Sequence, residues 1–351
     1  MPLVRTVCCL LIAVALTGCD RAPPPDGAPL QTKRILSEGG NNPAQVLYPR
    51  AIDADDSGVW VIDKAGRVQR LDAETGEHTH YFTLAKIDQG KPCGITVAPL
   101  PNNPTRPGLW IAETHNFRVI VLDPEDITSD QQPEPVASFG AFGTEPGQYI
   151  YVTDVAVLTS DDNNSIERIY VAEYGSNDRV TILDANYNVI RTFGTFGVGG
   201  TEAESESNPL MNRPQSLAID REAQELIVAD SCNHRLGRFT LDGDLIAWIG
   251  SPQADQFRYP QNLILLEDRR ALVVEFGGNR LSLVDLDSGA TIRTLGVPGR
   301  ERGQLASPWA LAAVDDEVFV LDSANNRIQV IDAPARPQSR YADMEGNRST
   351  H

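Results

Sequence analysis

Cysteine is scarce in this 351-residue chain and unevenly placed. Cys8, Cys9 and Cys19 crowd the N-terminus, and only Cys93 and Cys232 fall in the remainder. A disulfide scaffold is thereby excluded. Basic charge is also short: 30 Lys and Arg face 48 Asp and Glu, for a net charge of −18. That balance argues against nucleic-acid binding, which relies on basic faces. It favours solubility instead. The one apolar run, Val7 to Leu16, is too short to cross a bilayer comfortably. No serine-hydrolase elbow or phosphate loop occurs. The Gly-rich string FGTFGVGG (193–200) leads into no helical pattern, so it is not a dinucleotide fingerprint.

What the chain does contain is a repeat. One copy, from Asn212 to Gly250, reads as four short strands. Pro214 precedes SLAI, ELIVA ends in Asp230, Arg235 opens RLGRFTL, and Asp242-Gly243 turns into LIAWI before Gly250. Pro suits the first residue of a strand, where its missing N–H breaks no ladder. The second strand is apolar at consecutive positions, which implies burial on both faces. One four-stranded sheet cannot cover both of its faces, so neighbouring copies must do so.

Aligning on the acid that ends each second strand gives six copies, at Asp63, Glu113, Glu173, Asp230, Glu275 and Asp322. An Arg follows each: Arg67, Arg118, Arg179, Arg235, Arg280 and Arg327. An Asn lies between in five copies: Asn116, Asn177, Asn233, Asn279 and Asn326. Arg forks onto a carboxylate, and Asn tolerates the left-handed conformation of a tight loop. First strands follow Pro49, Pro92, Pro214, Pro260 and Pro308, with Val152 in the third copy. Over residues 32–332 this pattern resembles the NHL repeat family. The resemblance implies an all-β fold: a six-bladed β-propeller of four-stranded antiparallel blades. The last copy supplies only three strands. TKRILSEGGNNPAQVLYP (32–49) matches the end of copy five, so Thr32–Ser37 is predicted as the outer strand of blade six, closing the ring.

The chain divides into four parts. Residues 1–18 form an export signal, with Arg5 ahead of the apolar run. Leu16-Thr17-Gly18-Cys19 resembles the bacterial lipobox, which implies cleavage before Cys19 and its lipidation. The resemblance implies a cell-membrane lipid anchor facing out of the cytoplasm, toward the periplasm if the source is Gram-negative. Residues 19–31 form a Pro-rich linker, extended by up to roughly 30 Å. Residues 32–333 form the propeller. Residues 334–351 show no strand pattern and are predicted to be a disordered tail. Asp123–Pro135 and Val198–Met211 are predicted as surface loops.

First strands begin, and second strands end, on one face of such a disc, around its channel mouth. Tyr48, Arg50, Tyr151, Asp154, Tyr174, Gln215, Tyr259, Gln261, Asn262, Phe276 and Trp309 fall there. Aromatic bodies beside polar groups suit a glycan, peptide or protein partner. The acid–Arg pairs recur in every copy and read as scaffold, because a catalytic group is usually needed once. His78 and His80 alternate in an outer strand, and His115 and His234 lie in acid–Arg loops without a third ligand. No catalytic residue, metal ligand or cofactor is expected, although a structural calcium or a catalytic zinc or magnesium stays open. The expected function is a lipid-anchored binding or scaffolding module. The alternative is a metal-dependent lyase or hydrolase of the amidating-lyase or streptogramin-lyase type, working in the channel. The amidating-lyase resemblance implies His at first-strand starts; here those positions read Tyr48, Lys91, Ile150, Arg213, Tyr259 and Ser307.

Overall fold

A computed structural model describes residues 27–85, 92–162, 165–200, 205 and 207–338. The predicted export signal and Cys19 lie outside the described residues. Six four-stranded antiparallel sheets form a ring of blades, as the repeat predicts. From the axis outward, blade one runs Pro49–Ala54, Gly58–Asp63, Arg67–Asp72 and His78–Thr83. Its outer strand forms despite lacking the Gly ending seen in other copies. Blade two has Gly94–Leu100, Asn103–Glu113, Arg118–Leu122 and Ala137–Phe139. Blade three has Tyr151–Thr159, Ile166–Tyr174, Arg179–Leu183 and Val189–Phe193. Blade four has Pro214–Asp220, Glu225–Asp230, Arg235–Thr240 and Leu245–Gly250. Blade five has Pro260–Leu266, Arg270–Glu275, Arg280–Asp285 and Thr291–Leu295.

Blade six takes Leu311–Val314, Glu317–Asp322 and Arg327–Asp332 from the C-terminal end, and Thr32–Ser37 as its outer strand. Lys33 and Arg34 both reach Glu317, at 2.8 and 2.5 Å, so ion pairs reinforce the closing ladder.

The second strands carry the core. Gly58–Asp63 and Glu225–Asp230 are buried at every position. Clusters are shared between blades: Val61 of blade one packs with Phe319 and Val330 of blade six, and Trp110 of blade two with Val155 and Val171 of blade three. This mutual covering is why consecutive apolar residues are tolerated.

Each second-strand acid meets its Arg. The partners stand 2.6 Å apart at Glu113–Arg118 and Asp322–Arg327, 2.8 Å at Glu173–Arg179, and 2.9 Å at Asp230–Arg235 and Glu275–Arg280. Asp63 and Arg67 also pair. The acid accepts a connector amide as well, such as that of Leu47 at Asp63 and of Asn212 at Asp230. The Arg ties down connector carbonyls, as Arg179 does at Thr144, Glu145 and Gln148. Burial is the largest influence on Asp230, raising its pKa to about 6 even beside Arg235.

The aligned Asn residues split into two roles. Asn116, Asn177 and Asn233 donate to the acid. In blade six it is Asn325, not Asn326, that does so. Asn326 and Asn279 sit one residue later, at positive φ, and accept amides from the next connector.

Two segments differ from expectation, and a predicted surface loop is tied down. The linker does not run free to Gln31: Ala28 bridges Leu295, and Leu30 is buried with its amide on the Gly303 carbonyl. Residues 334–338 pair with blade five through the Leu266–Pro337 bridge. The loop at 123–135 bonds to blade one, where Thr83 donates to the Asp130 carbonyl. Among the described residues no helix is long and apolar enough to cross a membrane.

Candidate channel-mouth site

The innermost strands converge on the axis, and a local kink precedes four of them. Tyr48, Arg213, Tyr259 and Ser307 all have φ between 46° and 60°. Non-Gly residues rarely adopt this region. Here each amide is held by the preceding blade: Tyr48 by Asn326 at 2.8 Å, Arg213 by Asp178 at 2.6 Å, Tyr259 by His234 Nδ1 at 3.1 Å and Ser307 by Asn279 at 2.7 Å. Cross-blade bonds therefore position the residues that reach the mouth.

Those side chains join in an arc. Phe276 meets Trp309 with ring centroids 5.4 Å apart, and Trp309 meets Tyr48 at 6.2 Å. The Arg50 guanidinium lies over both Trp309, at 4.9 Å, and Tyr48, at 5.7 Å. On the other side His115 contacts Tyr151, Tyr151 contacts Tyr174 (both at 5.1 Å), and Arg213 lies 4.5 Å over Tyr174. Tyr259 is the most exposed of these aromatics and stands against His234 at 4.5 Å. Burial, then the nearby Arg50 charge, lowers the His115 pKa. Burial raises the Tyr174 phenol, with Arg213 opposing.

Beneath the arc lies a polar floor. Arg50, Cys93, Asp154, Gln215, Gln261, Asn262 and Trp309 line an axial cavity of about 20 Å³. Gln261 donates to Gln215 at 2.8 Å, and Asn262 donates to Ser216 at 3.0 Å. Asp154 and Asn262 are also stitches between blades: Asp154 accepts from the Leu217 amide and Asn262 from that of Leu311, both at 2.9 Å. Burial lifts the Asp154 pKa to about 7.

The sequence-predicted face residues thus divide into a rim (Tyr48, Tyr151, Tyr174, Tyr259, Phe276, Trp309), a cation (Arg50) and a floor (Asp154, Gln215, Gln261, Asn262). His115 and Arg213 were not predicted for the face. The equivalence of Arg213 with Tyr48 and Tyr259, each one residue before a strand-opening Pro, is a signal that could have found it. His115 has no such signal. His78 and His80 stay on the outer strand of blade one, where His80 lies against Trp60. Cys93 and Cys232 are both unbridged and half-buried. Among the described residues no three His, Cys, Asp or Glu side chains group as metal ligands.

One stretch, residues 211–239, matches the NHL repeat model. No curated protein matches the chain in sequence. Among solved structures, a streptogramin B lyase superposes with a TM-score of 0.51 at 16% identity, over 84% of this chain and 85% of the lyase. A catalytically inactive virginiamycin B lyase from Staphylococcus aureus, solved with quinupristin, gives 0.52 at 14% identity over 87% of each chain. A protein of unknown function from Bacteroides thetaiotaomicron gives 0.58 at 16% identity, over 85% of this chain and 74% of its own. At such identities the likeness is one of fold.

Proposed function

We propose that the protein is a lipid-anchored, extracytoplasmic binding module whose channel mouth holds a partner. The observation that carries this reading is the arc from Phe276 through Trp309, Tyr48 and Arg50, with the second run from His115 to Arg213, above a floor of side-chain amides. Aromatic faces supply area and the amides supply orientation. About 20 Å³ of axial room holds roughly one water. A ligand on the mouth would place one small group in this cavity. The anchor on Cys19 rests on the lipobox, and its test is the mass of the mature N-terminus.

The test of the mouth is a binding screen of the purified full-length chain against glycan and peptide arrays. Trp309→Ala and Tyr174→Ala should each weaken the hits at least tenfold. Ile246→Ser, on the exposed outer strand of blade four, should leave them unchanged. Equal binding by all three variants would remove the mouth from the reading.

A second reading, a lyase acting at the channel, draws on the fold likeness to the streptogramin and virginiamycin lyases. Incubation with quinupristin and magnesium, followed by mass spectrometry, separates it. An altered product mass would favour the lyase, and intact quinupristin would dismiss that activity.

A further inference from the structure

The mouth holds a cation that no acid answers. Among the described residues Arg50 makes no ion pair or hydrogen bond, and its Nε is buried without a partner. Its guanidinium lies over the Trp309 and Tyr48 rings. Lys64 Nζ lies 5.8 Å from the Tyr48 ring, and Arg213 sits over Tyr174, so further positive charge gathers on this face. This happens in a chain of net charge −18. Several arginines elsewhere are answered by acids: Arg70 by Asp55, Arg238 by Glu225, and Arg269 by Asp220 and Glu225.

A second donor waits beside it. Gln215 is only 7% exposed, and its Nε2 is buried with no partner, while its Oε1 is occupied by Gln261. Gln215 and Arg50 line the same small cavity. Asp154 lines it too, but its oxygens are taken by the Leu217 and Val155 amides. An unpaired guanidinium and an unpaired amide N–H together suit a carboxylate, which accepts from both.

The body attached to that carboxylate follows from the surroundings. A peptide held by main-chain pairing needs a free strand edge with space beside it. The innermost strands turn their free edges toward the axis, and the cavity that Arg50 and Gln215 line there has about 20 Å³. What the mouth offers instead is aromatic faces beside amides, the surface that takes sugar rings. We infer that the mouth binds the terminal uronate of an acidic oligosaccharide. Its carboxylate meets Arg50 and Gln215 Nε2, and its ring lies against Trp309 and Tyr48. This rests on the mouth being the binding face.

The experiment is calorimetric titration of the full-length chain with tetrasaccharides ending in galacturonate, glucuronate or mannuronate. Each is paired with its carboxyl-reduced neutral counterpart, and N-acetylated tetrapeptide acids form a separate arm. At least one uronate should bind tenfold or more tighter than its neutral form. Arg50→Gln should abolish that preference, and Arg50→Lys, a point charge without the fork, should keep part of it. A thermal melt of each variant checks folding. Equal binding of uronates and neutral sugars, lost in Trp309→Ala, would overturn the carboxylate contact but leave the mouth reading intact. Peptide acids binding through Arg50 while sugars do not would overturn the oligosaccharide assignment. No binding in either arm would overturn both.

Discussion

Asn326 holds Tyr48 across the seam of the ring: its Oδ1 accepts the Tyr48 amide at 2.8 Å although the residues stand 278 positions apart. Asn279 makes the same contact with Ser307 one blade earlier, at 2.7 Å. Both Asn residues have positive φ. Side-chain chemistry and backbone conformation are therefore both used at this position, and each can be removed separately.

Replacing Asn326 by Gly keeps the left-handed backbone and removes the acceptor, so it should cost about 1–2 kcal/mol for the lost bond. Asn326→Ala should cost roughly 1 kcal/mol more, because a Cβ disfavours the left-handed region. Asn326→Asp keeps an acceptor and should lie near the wild type. Urea unfolding midpoints check the ranking, and a glycine variant as stable as the wild type would refute the bond's contribution.

Asp154 offers a pH prediction. Burial is the largest cause of its raised pKa, about 7 against an ordinary 3.8. Well below pH 3.8 it is protonated whether folded or unfolded, so it imposes no penalty. As pH rises from 4 toward 7 only the unfolded chain ionises freely, and stability falls until the folded pKa is passed. A shift of this size corresponds to a loss on the order of 4 kcal/mol. Asn262 already performs the same stitch as a neutral side chain, accepting the Leu311 amide and donating to Ser216. Asp154→Asn should therefore fold, and its stability relative to the wild type should rise between pH 4 and pH 7. Urea denaturation at pH 4, 6 and 8 measures the difference, and a pH-independent difference would exclude the buried, protonated Asp154.

Much of this architecture is legible in the sequence because it depends on local rules that repeat. Second strands such as VWVID and LIVAD are apolar at consecutive positions, which only sheets stacked on both sides can satisfy, and turn residues mark every strand end. The closing strand is legible because Thr32–Ser37 copies the end of blade five. What escapes is phase and reach. Asn279 and Asn326 align loosely with Asn233 in the sequence. A shift of one residue in the tight turn moves the side chain from the acid of its own blade to the amide of the next. The connector lock is also hidden. Gln148 and Gln304 turn back so that a Cβ on Gly143 or Gly299 would sit 1.9 Å from the Gln Oε1, a contact that strand periodicity does not encode. At the mouth, aromatic residues at strand starts and the equivalent Arg213 are readable, but His115 joins only through its contact with Tyr151.

The closing strand should loosen in acid. Hydrogen bonds from Arg34 are the largest cause of the depressed Glu317 pKa, about 2 against an ordinary 4.5, and Lys33 adds to them. A carboxylate with a lowered folded pKa stabilises above its unfolded value and loses that contribution as pH falls through the folded one. The relevant window is therefore pH 4.5 down to 2. Because the Glu317 side chain is 23% exposed, solvent screening limits the gain to about 1 kcal/mol. The effect is local, since Glu317 meets Lys33 and Arg34, and Arg34 also donates to the Ala73 carbonyl in blade one. Glu317→Gln at pH 7 should speed amide hydrogen exchange at Thr32–Ser37, and at pH 2 the variant and wild type should converge. The second strand of blade four, remote from the seam, should exchange at the same rate in both. Unchanged exchange at Thr32–Ser37 in the variant at pH 7 would show that the backbone ladder to Arg327–Asp332 closes the ring without this charge pair.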